Sequence, residues 1–439
     1  MTSNSETIPV GYKQTEVGVI PEDWRVIRLG NSVKLINGFA FSSEYFSSDG
    51  PIVLTPGNFK LDGGLKFDKL KTTRYSGEYT NKMCLLNGDL VVVMTDLTPD
   101  CNLLGKSGII DSEEIILHNQ RIGKIVVTDN QVSKQYLKVY FNSNLFSLRM
   151  KETATGSTVR HTSVSTINES LITLPKLTEQ KNIAKTLANG DKLIENIGRL
   201  IDKKRDFKQG TMQELLTGKT RLPGFSGEWN DAILFNLIDP YRSIRYGIVQ
   251  PGDFDQNGRY MIRGQDYSLA KGWAAPSEVF KVSEEVEKKY KNARVKTGDL
   301  IMTIVGYCGH VEEIPDWLNE ANLTQTTVRI AIHSGKANNR YCRYALMSEY
   351  CQKQVGYFLK GAAQPGLNCA DVEKFVLQMP PSIEEQEAIA EILSDMDAEI
   401  TVLEQRLEKT KAIKQGMMQQ LLTGRIRLVE PSTSVEASA

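Results

Sequence analysis

The sequence predicts an α+β protein. Two domains of mixed α/β structure are joined by two long antiparallel helices forming a coiled-coil spacer, with a pseudo-two-fold internal repeat. Three observations predict this. The decapeptide Gln209-Gly210-Thr211-Met212-Gln213-Glu214-Leu215-Leu216-Thr217-Gly218 returns, in closely similar form, as Gln415-Gly416-Met417-Met418-Gln419-Gln420-Leu421-Leu422-Thr423-Gly424, a shift of 206. Each copy closes a stretch whose apolar residues alternate at spacings of three and four, the mark of a helical seam that needs a partner. Before each stretch lies a mixed segment of roughly 150 residues, the size of an ordinary domain.

Composition agrees. The chain has 439 residues, 40% hydrophobic and 24% charged, which excludes wholesale disorder and collagen. No window of 18 apolar residues predicts a membrane span. The start, MTSNSETIPV, lacks the basic and apolar regions of a secretory signal, so a cytoplasmic location is expected. Lys plus Arg number 53 and so do Asp plus Glu, which argues against a generic polyanion binder but leaves room for a local basic face. Six scattered cysteines, Cys84, Cys101, Cys308, Cys342, Cys351 and Cys369, show no C-x-x-C spacing and read as reduced packing residues.

The elements follow in order. Residues 1–177 form the first domain with an N-terminal arm, in which Trp24 and Leu29 answer to Trp229 and Leu234 of the second. Gly88-Asp89-Leu90 and Gly298-Asp299-Leu300 each read as a turn feeding a strand. Residues 178–218 are the first spacer helix, with a seam of Ile183, Leu187, Ile194, Ile197 and Ile201. Residues 219–382 are the second domain. Residues 383–424 are the second helix, with a seam of Ile389, Leu393, Met396, Ile400, Leu403 and Leu407. Pro175 and Pro380-Pro381 precede the helices, and Gly218 and Gly424 stand where a C-terminal stop is expected. The run from 180 to 205 alone would be roughly 40 Å long. Residues 425–439 read as a tail, its last ten small, polar and disordered.

Catalytic motifs are missing. Gly218-Lys219-Thr220 has Gln213 where a phosphate-binding loop needs its first glycine, and Gly105-Lys106-Ser107 fails likewise at Asp100. Asp239-Pro240-Tyr241 is one proline short of an amino-methyltransferase loop. Glu287-Lys288-Lys289 has letters of a nuclease site but sits in the run Ser283 to Lys291, better explained as a solvated helix face. His118, His161, His310 and His333 show no metal-ligand spacing.

Recognition remains. DNA readers use Arg and Lys for phosphates, and Arg, Asn, Gln, Ser and Thr for base edges as well. Thr155 to Ser163 is such a loop, offering Ser157, Thr158, Arg160 and His161. Its counterpart from Lys360 offers Gln364 and Asn368, with Ala362-Ala363 where the first copy has Ser157-Thr158. Arg263-Gly264-Gln265-Asp266 follows a short strand as Thr55-Pro56-Gly57-Asn58 does, which adds Arg263, Gln265 and Asn58. Arg242 and Arg245 precede Tyr246-Gly247.

These residues carry a resemblance. Leu174-Pro175, Glu179-Gln180-x-x-Ile183-Ala184 and Leu215-Leu216-Thr217-Gly218, repeated as Pro380-Pro381, Glu385-Gln386-x-x-Ile389-Ala390 and Leu421-Leu422-Thr423-Gly424, resemble the specificity subunit of type I restriction-modification enzymes. The opening from Gly11-Tyr12-Lys13-Gln14-Thr15 to Trp24 is similar too. The resemblance implies two target recognition domains, each reading half of a bipartite double-stranded DNA sequence. It implies helices that set the half-site gap and dock two copies of a DNA methyltransferase subunit. S-adenosylmethionine would belong to those subunits, and ATP with Mg2+ to restriction/translocase subunits. The chain itself would be non-catalytic, bind no cofactor or metal, and touch no membrane. The unlike domains predict an asymmetric target. The alternative is a non-catalytic adaptor whose duplicated domains grip proteins.

Overall fold

The computed structural model describes residues 8–68, 71–98, 100–268, 272–361 and 365–429. The predicted disordered stretch Glu430–Ala439, the Ala362-Ala363 pair and Gln364 lie outside the described residues. The chain divides into two compact units: unit 1 is Met1–Ile197 with Arg406–Ala439, and unit 2 is Gly198–Gln405.

Two helices run through this division. Helix α1 is Leu177–Leu215, 39 residues, and helix α2 is Ile383–Leu422, 40 residues. Each spans about 60 Å at 1.5 Å per residue. They outrun the 180–205 segment because apolar residues continue beyond it: Met212, Leu215, Met418, Leu421 and Leu422 are all buried.

Within unit 1 the start of α1 meets the end of α2. Ile183 and Leu187 share a core with Met418, Leu421 and Leu422, and Lys414 pairs with Asp191. Within unit 2 the end of α1 meets the start of α2. Met212 and Leu215 pack with Ile389 and Leu393, and Lys208 pairs with Asp397. Lys204 meets Glu399 at 2.7 Å and Arg205 meets Glu404 at 2.5 Å. The helices are therefore antiparallel inside each unit. Of the predicted seam, Ile183, Leu187, Ile197, Ile201, Ile389, Leu393 and Ile400 are buried, whereas Ile194, Met396, Leu403 and Leu407 are half-buried.

The remainder of unit 1 is built on two four-stranded sheets. One is antiparallel, in the order Ser107–Ile109, Leu90–Val93, Ile122–Val127, Val33–Asn37. The other is mixed, with Ile116–His118 parallel to Phe46–Leu54. Unit 2 has a four-stranded sheet in the order Arg245–Tyr246, Thr327–Ile330, Leu300–Thr303, Val311–Glu313. Its three-stranded sheet repeats the parallel pairing, with Met261 opposite Asn322.

The frames repeat at an offset of 205. Arg25–Arg28 pairs with Leu171–Leu174 in unit 1, and Asn230–Ile233 pairs with Val376–Met379 in unit 2. Helices beginning at Lys134, Asn144 and Val164 answer to helices beginning at Asn339, Glu349 and Cys369. Each is capped by a short polar side chain that satisfies an orphan N–H of the first turn: Ser133, Ser143 and Ser163 against Asn338, Ser348 and Asn368. Buried Gln180 accepts from Ser133 N, and Gln386 from Asn338 N, both at 2.8 Å. On the long helices the offset is 206, because Pro380-Pro381-Ser382 has one residue more than Pro175-Lys176.

The turn before each central strand also repeats. Gly88 and Gly298 take φ of +84° and +83°, a region open to glycine. Asp89 and Asp299 each accept the backbone N–H three residues earlier. One expectation fails here. The run Ser283–Lys291 does contain a short helix, Glu284–Lys288, but Glu287 is not solvated. It is fully buried, held by Arg294 at 2.5 and 2.7 Å and by Asn322, since an intervening turn brings Arg294 back over it.

Candidate nucleic-acid interface

In unit 2 the strand Arg245–Tyr246 lies antiparallel to Thr327–Ile330, placing Arg245 opposite Arg329. Two hollows open from these strands. The first is a polar cleft of about 520 Å3 whose cations are Arg242, Arg245, Lys291, Arg294, Lys296 and Arg329. Some are already committed. Arg242 is bidentate on Asp299, with one bond at 2.6 Å, and Arg294 is held by Glu287 and Glu320. Arg329 is buried and donates to the carbonyls of Asn292, Arg294 and Ser243, while its Nε has no partner. Burial, then the charge of Arg242, pulls its pKa down. Arg245, Lys291 and Lys296 form no ion pair among the described residues, and Glu320, the carboxylate that lines the cleft with them, is paired with Arg294. An anion entering the cleft would meet these three cations and relieve the crowding around Arg329.

The second hollow is a cavity of about 700 Å3. It begins where the same strands leave off: Ile248 and Val249 follow one, and Thr324, Gln325 and Thr326 precede the other. One wall is a stacked pair, Tyr267 and His310, with ring centroids 5.3 Å apart. Burial pushes the Tyr267 phenol up to about 12, and its hydroxyl bonds Thr303 at 2.8 Å. Burial lowers His310 to about 4, so this imidazole is neutral at neutral pH; neither ring nitrogen has a hydrogen-bond partner, and Nε2 lies 3.7 Å from a carboxylate oxygen of Glu312. Tyr307 stands at the mouth, 77% exposed. Gln265 and Gln325 are exposed, and their amides have no side-chain partner among the described residues. Arg263 is tethered to Asp266, with its closest contact at 2.7 Å.

In unit 1 the predicted polar run Thr155–Ser163 contains a hairpin-like loop. Thr155 and His161 exchange backbone hydrogen bonds, as Lys360 and Gly366 do in unit 2. Gly156 turns the loop at φ +94°, where a Cβ would come within 2.1 Å of the Val159 carbonyl. Ser157 and Thr158 sit exposed at the tip. Arg160 is drawn back onto Gly156 O at 2.8 Å and Cys101 Sγ at 3.3 Å, and His161 Nδ1 meets Thr95 Oγ1 at 3.1 Å.

The structure thus gathers Arg242 with Arg245, Arg263 with Gln265, and Ser157 through His161. It turns two other residues to local work. Asn58 is 5% exposed and closes a turn by accepting from Thr55 N at 2.9 Å. Asn368 caps the helix Cys369–Glu373 through Asp371 N. Sequence reasoning missed Arg329, Lys291, Lys296, Tyr307 and Gln325. The run Thr324-Gln325-Thr326-Thr327 is of the same polar kind as Thr155–Ser163 and was the available signal. Among the described residues no group of His, Cys, Asp and Glu could hold a metal, and no helix is long and apolar enough to cross a membrane.

Comparison with known proteins bears on this arrangement. A family model described as the type I restriction modification DNA specificity domain matches residues 21–203 and 245–412. The chain is 26% identical over 431 residues to the Escherichia coli type I restriction enzyme EcoBI specificity subunit, covering 93% of this chain and 86% of that one. It is 27% identical over 428 residues to the Methanocaldococcus jannaschii MjaVIII specificity subunit, covering 93% and 94%. The fold is similar to the crystal structure of a type I restriction-modification system S subunit from M. genitalium, with TM-score 0.54 and 14% identity over 91% of this chain and 96% of that one.

Proposed function

Because this chain belongs to the type I restriction-modification DNA specificity family, we propose that its two units each read one half of an asymmetric bipartite DNA target. One observation carries this reading. Two frames that agree in caps, turns and strand pairs carry unlike polar features: an exposed loop with Ser157 and Thr158 on the first, and a basic cleft beside an amide-rimmed cavity on the second. Agreement of the frames preserves how the units are held, and divergence of the loops gives different specificities. Arg245, Lys291 and Lys296 serve as phosphate anchors that position unit 2, while neutral polar groups supply base selection.

The helices act as the spacer between half-sites. Their repeated faces offer two equivalent seats, so two copies of a methyltransferase subunit dock, one on each. Those subunits bring S-adenosylmethionine, and restriction subunits bring ATP and Mg2+. The chain directs the chemistry without performing it, in the cytoplasm where the DNA lies.

The test is methylation mapping in a host that expresses the chain with its modification partner. Exchange of residues 1–150 for another reader should change one half-site only. Change of both halves overturns the modular reading.

A further inference from the structure

The cavity of unit 2 has a shape that paired DNA does not fill. A duplex presents base edges along the floor of a groove, and a side chain reads them by protruding. Here the polar groups are set the other way, around a hollow of about 700 Å3. That volume is typical of pockets that enclose a small organic ligand. Its chemistry suits a flat heterocycle. Tyr307 offers an exposed ring at the mouth, and the Tyr267–His310 stack forms a wall. Gln265 and Gln325 hold amides with no side-chain partner among the described residues, each able to donate and accept. Arg263 is neutralised by Asp266, so the cavity itself is not a phosphate site. The phosphate chemistry lies in the adjoining cleft, at the other end of the same two strands.

We propose that this cavity receives a single nucleobase turned out of the duplex, selected by Gln265 and Gln325 and stacked on Tyr307, while the basic cleft holds the backbone. The inference rests on the reading of unit 2 as a DNA-binding unit and deepens it. The paired strands explain why the two sites act together. Arg245 fixes the backbone at one end of its strand, and the chain reaches the cavity wall at Ile248. A base can enter only by leaving its stack, and enzymes that act on single bases use the same movement.

The experiment uses the full chain with its modification subunits on the mapped target. 2-Aminopurine is placed in turn at each purine, and permanganate reactivity is read at each thymine. The expected result is a several-fold signal at a position other than the methylated adenine, in the half-site that unit 2 reads. That signal is lost in a Gln265→Leu, Gln325→Leu double variant and reduced in Tyr307→Ala. The signal at the methylated adenine remains, which shows that the variants fold and assemble. A complex that binds and methylates its target with no second unstacked base overturns the inference and leaves the function standing. Failure to bind any bipartite target overturns both. A second arm titrates nucleoside monophosphates into the full chain without DNA. Binding there that matches DNA binding in strength and vanishes in the same variants assigns the cavity to a free nucleotide, and the extruded base is then wrong.

Discussion

Arg427 holds the buried carboxylate of Glu179 through two nitrogens, at 2.8 and 2.9 Å. Its second grip is Asp23, and its guanidinium lies over the ring of Trp24. In unit 2, 206 residues earlier, Arg221 holds Glu385 at 2.6 and 2.8 Å and lies over Trp229. The pair fastens the segment after a long helix to the first turn of the other long helix, once in each unit.

Removal of either arginine strands a carboxylate that is 1% exposed. Arg427→Ala and Arg221→Ala are each expected to cost about 3 kcal/mol, the scale for breaking a buried ion pair from one side. Thermal unfolding of the full chain measures this. Arg427→Lys restores little, because a single ammonium cannot replace the forked contact.

The glycines that end these segments differ in their surroundings. Gly424 and Gly218 share φ near +69°, but a Cβ on Gly424 would fall 2.4 Å from Pro21, and one on Gly218 would fall 3.2 Å from the Trp229 ring. Both Ala substitutions incur the left-handed cost of roughly 1 kcal/mol. Gly424→Ala adds an overlap and is expected to be the more destabilising, by about 1–3 kcal/mol on the scale of overpacking. Denaturant midpoints of the two variants settle the order.

Acid acts on unit 2 through Glu287. The bonds from Arg294 hold its carboxyl below the ordinary value of 4.5, outweighing burial. A depressed folded-state value means that stability is present above the unfolded value and lost as pH falls through the lower folded one. The melting temperature should therefore drop from about pH 4.5 downward. The drop should be smaller in Glu287→Gln, which starts lower at neutral pH.

The cleft predicts a salt effect. Arg245→Ala, Lys291→Ala and Lys296→Ala should each weaken DNA binding alike on all sequences. Each should reduce the slope of log affinity against log salt by about 0.9, one phosphate's worth of released counterions. Gel-shift titrations at several salt concentrations give the slopes. Unchanged slopes in all three would remove the cleft from the interface.

A four-residue insertion near Lys208 or Lys414 lengthens one helix by about 6 Å. The gap between methylated half-sites should change while the bases read stay the same. Methylation mapping reads both quantities.

Much of the frame was legible from the chain. The helices declared themselves because a duplicated seam is a signal repeated twice, and Gly88-Asp89 and Gly298-Asp299 announced their turns because only a few residues serve there. The parallel pairing of Ile116 with Ile52 was not legible, since it joins distant segments with no local signature. The site was read in part. Arg242, Arg245, Arg263 and Gln265 stood out as polar residues near turns. Arg329 did not, because a charge within a strand reads as an outward-facing residue until cross-strand neighbours show that it is buried. Glu287 was misread because its helix ends at Lys288, and its partner Arg294 comes back over it only through the turn that follows.

Unit 2 is one unbroken run of chain, whereas unit 1 is assembled from both ends. Trp24, Ile183 and Leu187 complete their core only with Met418, Leu421 and Leu422. On the ribosome, the half begun first is thus the half finished last. Until Met418, Leu421 and Leu422 emerge, its apolar groove stands open for a chaperone to shield.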